Sequence, residues 1–475
     1  MKITFLASEA NPFIKTGGLA DVVYALAEQY VSEKHEVNII IPFYSKIKNS
    51  IFIPLEYLGS FKMMLSWKSV EVKVCLGKYR GISYYFIEND EYFARGQIYG
   101  EGDDGERFAF FTMASIEVMK RFNIPANIVH LHDWQVGMLP CVVKENKDPY
   151  FKKSKFVFTI HNPAFQGIYE PDFILSYYQL RRDCYENGNI KMHDQCSTLK
   201  AGIVYSDKIT TVSPTHREEL LTADGGMNLD FVLNIRKDDF VGILNGIDYN
   251  EFNPGHDKKI PATYNKQNYY SKKSQNKEAL LAKFGLRNLG LPVYGLVSRL
   301  TWQKGIDLMY PLVRSLAWRG CVFLFLGSGE YGHEQGLEQL RKEFPDNVGI
   351  YIGYNDEIAH LIYAGSDFFL MPSLFEPCGL SQMISEAYGT LPIVRTTGGL
   401  KDSVVCYDGS NDDVANGFGF QDNNADEFIR CVSKSFDVYW NLPLRKRLIR
   451  NAMATDNSWK KSAEKYIQLY KSIGK

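Results

Sequence analysis

No two of the eight cysteines, at positions 75, 141, 184, 196, 321, 378, 406 and 431, form a C-x-x-C pair. That absence excludes a zinc ribbon and a redox dithiol. Charge of one sign is also lacking: the formal net charge is −1. A broad electrostatic surface for nucleic acid or anionic membrane is therefore not expected, although a local basic pocket is still allowed. No apolar run approaches the length of a membrane span. Near the N-terminus only Ile3 to Ala7 separate Lys2 from Ser8-Glu9, too little for a secretory h-region. Reduced thiols and a cytoplasmic location are the expectation. Neither the six-residue dinucleotide fingerprint nor a P-loop is present, and there is no low-complexity segment.

At 475 residues the chain is too long for one ordinary core, so two or three domains are expected. Hydrophobic content of 45% and charged content of 23% are ordinary for a globular protein. Aromatics reach 14%, with 30 Tyr. Aromatic faces suit sugar rings, although most of these side chains belong in the core.

One short stretch occurs twice. Lys15-Thr16-Gly17-Gly18-Leu19-Ala20-Asp21 and Thr397-Gly398-Gly399-Leu400-Lys401-Asp402 share TGGL-x-D. Each follows an apolar, strand-like run and opens a helix-like one. Adjacent glycines let the backbone approach a ligand closely and take up positive φ. A helix starting there offers unpaired N–H groups and a positive dipole end, a ready anion site. Taken singly, a Gly-Gly after a strand reads first as a tight turn. Recurrence in equivalent settings points to a phosphorylated ligand held between two loops, one from each half.

Lys2 to Ala7 reads as a buried strand. Leu19, Val22, Val23, Leu26, Ala27 and Tyr30 then fall at helical spacing, and His35 to Pro42 is a second buried strand. This βαβ opening implies a parallel sheet. Val70 to Leu76 and Gly81 to Ile87 read as strands, Glu91 to Glu106 as a loop, and Arg107 to Arg121 as a helix. Strand-and-turn units follow at Asn127–Trp134, Phe156–Gly167 and Asp207–Pro214. Val241 to Pro254 is turn-rich and marks a boundary; Ile260 to Lys277, being polar, reads as a surface connection. A second α/β series runs over Val293–Lys304, Cys321–Gly329, Val348–Tyr354, Asp367–Pro372 and Leu391–Gly399. The end of the chain is an amphipathic helix. In open α/β sheets ligands bind beyond the carboxyl ends of strands, so polar strand ends are the candidates for chemistry.

Arg299 and Lys304 lie five positions apart at one such end. They fit a diphosphate clamp, Arg bidentate and Lys as a point charge, or else are solvated surface charge. Glu376, between a strand and a helix, is placed to accept from sugar hydroxyls or to favour a helix N-terminus. Asp133 ends one strand and can orient or deprotonate a hydroxyl. His161 ends another; a lone strand-end His is commonly structural, and so is His132. His193 and His216 carry no assignment. Cys378 reads as packing. Asp103-Asp104 and Asp412-Asp413 sit in Gly- and Asn-rich loops and read as solvated acids rather than metal ligands.

In order along the chain, KTGGLADV, HLHDWQ, TIHNPAFQG, ILNGID, VSRLTWQKG, FEPCGLSQM and TTGGLKDSV resemble the bacterial glycogen synthase and plant starch synthase family. The likeness spans about residues 1 to 470. It implies an α/β fold of GT-B architecture, two Rossmann-like domains with parallel sheets facing a central cleft. The expected domains are 1–241 on the acceptor side, 242–456 on the nucleotide-sugar side, and a helix over 457–475 crossing back. The implied reaction is retaining transfer of glucose from ADP-glucose to the non-reducing end of an α-1,4-glucan such as glycogen, with no metal and no other cofactor. Donor-site positions carried over are Lys15, Gly17, Gly18, Thr397, Gly398, Gly399 and Leu400. Arg299 and Lys304 match the diphosphate pair, Glu376 the acid of EPCGL, and His161 and Asp133 residues near the transferred glucose and acceptor. The second Glu of many related transferases, eight residues on, is Ile384 here. That agrees with the starch and glycogen synthase branch, and Glu386 is not promoted in its place. Ser381 replaces a common Thr and keeps the hydroxyl. A related enzyme using UDP-glucose and a non-catalytic glucan-binding protein are the alternatives. No nucleic acid or membrane partner is implied. Because the two phosphate loops belong to different halves, donor binding is expected to close the cleft.

Overall fold

Lys2–Leu6 (β1) is apolar on both faces, as a central parallel strand must be, and only Lys2 is exposed. It pairs in parallel with Glu36–Pro42 (β2) on one side and Ile128–His132 (β6) on the other. Between β2 and β6 come Leu55–Leu65 (β3), Lys68–Tyr79 (β4) and Ile82–Glu88 (β5). β5 runs parallel to β2, whereas β3 and β4 add an antiparallel edge to the otherwise parallel sheet. Lys155–Ile160 (β7), Lys208–Thr211 (β11) and Phe240–Gly242 (β12) extend the opposite side, giving the order β12-β11-β7-β6-β1-β2-β5-β4-β3. A small antiparallel sheet of Ile168–Tyr169 (β8), Lys191–Met192 (β9) and Gln195–Ser197 (β10) lies between β7 and β11 in sequence. The computed structural model describes residues 1–473. Met1–Ile243 and the segment from Ser462 onward form one unit, and Leu244–Lys461 form the other.

The helix Gly18–Ser32 buries Leu19, Val22, Val23, Leu26, Ala27 and Tyr30, the stripe expected from the spacing. The last helix, Trp459–Ile473, packs its Tyr470 on the first unit: the ring lies 5.9 Å from Tyr30, and the hydroxyl 2.6 Å from His130 Nδ1.

The second unit is built on Val293–Val297 (β13), Val322–Gly327 (β14), Val348–Ile352 (β15), Phe368–Met371 (β16), Leu391–Arg395 (β17) and Phe418–Phe420 (β18). All pairs are parallel, in the order β15-β14-β13-β16-β17-β18. One expectation fails here. The polar stretch Ile260 to Lys277 is no surface connection: it runs into the helix Tyr269–Lys283, which buries Lys273, Asn276 and Lys277. The Lys273 ammonium donates to the carbonyls of Ala364 at 2.9 Å and Tyr388 at 3.2 Å and to Thr390 Oγ1 at 2.5 Å. Burial pushes it down to about 7. Lys277 pairs with Asp367 at 2.7 Å. A lysine whose donors are satisfied internally tolerates burial, so polarity alone misplaced this helix.

Among the parallel strands of each sheet the order reverses once, between β1 and β6 and between β13 and β16. These switch points open crevices at the strand ends, where ligands bind in this architecture.

Candidate active site

At the first switch point the chain leaving β1 carries Glu9, which is buried. Its carboxylate accepts from the backbone N–H of Thr16, from Thr16 Oγ1 at 3.0 Å, and from the Gly17 amide. Burial raises the Glu9 pKa, and these bonds oppose the rise. Glu9 thus anchors the glycine loop from inside, and part of the N–H set expected to be open is already occupied. Lys15 is half-exposed and lies 2.8 Å from Asp21 of its own motif. Asn11 Nδ2 holds the other Asp21 oxygen at 2.5 Å.

The two TGGL copies use their glycines differently. At Gly17 and Gly18 a Cβ would meet no atom of the other described residues within 4 Å, and neither has positive φ. Nothing in the protein demands glycine there; the space is open to a ligand. In the second copy Gly398 has φ +46, and a Cβ on it would lie 2.0 Å from Glu376 O. One on Gly399 would lie 2.2 Å from Cys378 O. The Gly399 N–H donates to Glu376 O at 3.1 Å, so it is not left open as a helix start would leave it. Here the glycines seat the 376–378 segment. Thr397 and Leu400 are buried in the same contact, and Cys378 is sealed beneath it, its thiol pushed up to about 12 by burial.

Beyond β6, Asp133 adopts φ 60 and ψ −178, a conformation almost confined to glycine. It is held there because its N–H donates to Thr159 O at 3.0 Å and its Oδ1 accepts from His161 N at 2.7 Å. Strain of this kind, maintained by surrounding bonds, gathers at functional sites. Burial raises the Asp133 pKa to about 7. Its carboxyl is poised near neutrality to accept from, or exchange a proton with, a hydroxyl. His161, at the end of β7, is brought beside it and held neutral by burial, its pKa lowered to about 3.

At the second switch point Ser298, Arg299, Lys304, Ser373, Glu376 and Ser381 line a cavity of 230 Å³. Arg299 is exposed and has no ion-pair partner among the described residues. Lys304 and Glu376, expected to act separately, form an ion pair at 2.5 Å with little exposure of either side chain. Ser373 Oγ donates to Glu376 Oε2 at 3.0 Å. Glu386 is buried, its carboxyl held by Asn457 Nδ2 at 2.7 Å and raised well above the usual range by burial. Three of the four paired acids are bound rather than merely solvated. Asp103 binds Arg95 at 2.8 Å, Asp104 binds Arg107 at 2.5 Å, and Asp412 binds Arg447.

Comparison with known proteins agrees with this arrangement. Residues 2–235 match the starch synthase catalytic domain family, and residues 280–455 match the glycosyl transferases group 1 family. A glycogen synthase of Clostridium botulinum (strain Alaska E43 / Type E3) is 39% identical over 477 residues, covering 100% of this chain and 99% of its own. One from Bacillus cereus (strain ATCC 14579) is 40% identical over 476 residues, covering 100% of both. The chain belongs to the glycogen and starch synthase family. A solved structure from this family, the catalytic domain of starch synthase IV from Arabidopsis thaliana bound to ADP and acarbose, superposes with a TM-score of 0.92 at 33% identity. It covers 100% of this chain and 99% of that one. The fold is accordingly GT-B, with two Rossmann-like units, and the protein is a glycosyltransferase. Among the described residues no helix is long and apolar enough to cross a membrane.

Within this family framework the structure places Asp133 and His161 together, and Arg299, Lys304 and Glu376 together. Glu9, Ser373 and the ring of His132 behind His161 are further residues of these sites. Their sequence signal was the one already in use, a polar residue just past an apolar strand, but nothing local says which such residue faces inward.

Proposed function

We propose that this protein elongates glycogen by retaining transfer of glucose from ADP-glucose to the non-reducing end of an α-1,4-glucan. The observation that carries the reading is the cationic crevice at the second switch point, with Arg299 and Lys304 beside Glu376, in a chain matched over its whole length by glycogen synthases. Cleaving the sugar–phosphate bond leaves charge on the diphosphate, and preorganised cations stabilise that charge most as it develops. Arg299 is the bidentate partner and Lys304 the point charge; in the first unit, taken by itself, Lys15 and the open Gly17-Gly18 loop offer an anion site. Glu376 both neutralises Lys304 and accepts from sugar hydroxyls. Asp133 and His161 lie on the acceptor side. A covalent sugar intermediate would need a carboxylate beneath the anomeric carbon; same-face attack assisted by the leaving phosphate needs none. ADP in the related starch synthase structure supports adenine over uracil in the donor. The test is ADP release from ADP-glucose with and without glycogen, set against UDP-glucose. Glycogen-dependent release from ADP-glucose is expected; preference for UDP-glucose, or no turnover of either, overturns the reading.

We also propose a cytoplasmic location and a reaction that needs no metal. The cationic side chains supply what a metal would bring to the diphosphate. Among the described residues one cluster has metal-ligand geometry, Glu251, Asp356 and His360. The Lys259 ammonium already sits in it, paired with Asp356 and 3.8 Å from Glu251. Full activity in excess EDTA is expected; loss restored by Mg²⁺ or Mn²⁺ would refute metal independence.

A further inference from the structure

The ends of β6 and β7 set two imidazoles side by side, with His132 Nδ1 2.8 Å from His161 Nε2. Both rings are neutral, because burial depresses both and no carboxylate bonds either ring among the described residues. A neutral imidazole carries one N–H, so the contact admits two arrangements. If His161 donates from Nε2, the proton of His132 must sit on its own Nε2. That nitrogen is sealed from solvent and has no partner among the described residues. A buried donor left unpaired loses its hydration with no replacement, and orphaned buried N–H groups are rarer than under-satisfied acceptors. If His132 donates from Nδ1 instead, only a lone pair is stranded, and His161 must carry its proton on Nδ1.

The neighbouring rings do not disturb this choice. His130 lies 4.3 Å from His132 between ring centres, but its own nitrogens meet the hydroxyls of Tyr470 and Thr159, both at 2.6 Å. A hydroxyl serves as donor or acceptor, so either tautomer of His130 is satisfied. Phe5, 5.7 Å from His132, offers no hydrogen bond. His161 is partly exposed, and its main chain is already pinned by Asp133. The geometry points to His132 as a positioning residue: it locks His161 as the Nδ1–H tautomer, so that His161 offers an N–H donor to a substrate hydroxyl oxygen. His132 touches no substrate itself. The tautomer stands on the structure alone, whereas its use on a sugar hydroxyl rests on the function proposed above.

The experiment uses the full chain labelled with ¹⁵N-histidine, and reads tautomers from two-bond ¹H–¹⁵N correlations beside steady-state kinetics. In the wild type His161 is expected as Nδ1–H. His132→Leu removes the donor, so His161 reverts to the commoner Nε2–H form. Its kcat falls about tenfold or more, the scale on which partners that orient an imidazole matter, while KM for glycogen holds. His132→Asn places an amide N–H where Nδ1 was, and recovers both the tautomer and most of the rate. A wild-type His161 found as Nε2–H overturns the assignment, and that spectrum is readable even if His132→Leu fails to fold. A tautomer change in His132→Leu with kcat intact overturns the positioning role. Absence of glucosyl transfer by the wild type would count against the proposed function and leave the tautomer result standing.

Discussion

Gly399→Ala is expected to lower Tm by about 6–12 °C, whereas Gly18→Ala leaves Tm in place and removes most use of the donor. The two glycines occupy equivalent places in the two TGGL copies, yet meet opposite surroundings. A methyl on Gly399 lies 2.2 Å from Cys378 O and 2.5 Å from Cys378 Cα. Both are backbone atoms, so no side chain can swing aside. Overpacking of this kind costs about 3 kcal/mol, and a unit of this size loses about 2–4 °C per kcal/mol. A methyl on Gly18 meets no protein atom and adds a better helix former at the start of the helix Gly18–Ser32. If that open space receives the diphosphate, displacement of the donor by even an ångström costs about a hundredfold in kcat/KM. Thermal unfolding and donor kinetics of the two variants are the measurements. Wild-type kinetics in Gly18→Ala would show that the open space is not used; an unchanged Tm in Gly399→Ala would show that the second loop does not seat the 376–378 segment.

Lys304→Gln is expected to lower kcat/KM for ADP-glucose by about a hundredfold or more, since it removes a preorganised donor from the leaving diphosphate. It also strands Glu376, whose carboxylate then keeps only Ser373, at 3.0 Å, among the described residues. Removing one member of a largely buried pair costs about 3 kcal/mol. Two effects are thus mixed in the single variant, and the double variant Lys304→Gln/Glu376→Gln separates them. With no charge left unpaired its stability returns toward wild type, while turnover stays lost. If the double variant regains turnover, the pair is structural and the diphosphate is held elsewhere. In Glu376→Gln alone, kcat falls because a sugar-hydroxyl acceptor is weakened, yet KM for the anionic donor does not rise, because Lys304 has lost its counter-charge.

The sheets were legible because a parallel strand buried on both faces must be apolar throughout, and the crossover helices carry the complementary stripe. β1, β2, β6 and β13 are such strands. Where a strand is half-solvated the signal weakens, as in β3, whose exposure alternates along the edge of the sheet. The helix Tyr269–Lys283 was misplaced for a related reason, because its buried lysines spend their charge on carbonyls and Asp367 far along the chain.

By itself the sequence determined the fold class, the family, and which polar residues stand at strand ends, since periodicity and motif order are local properties of the chain. Only the tertiary structure decided what those residues do to one another. The Lys304–Glu376 pair joins residues from the ends of β13 and β16, and Asp133 is strained against the backbone of His161. His132 lies behind His161, and the two TGGL glycine pairs divide into one open and one packed. The contacts among them depend on which strands become neighbours: β6 with β7, β13 with β16, and β16 with β17. That choice is made by long-range pairing and burial, which no local pattern encodes.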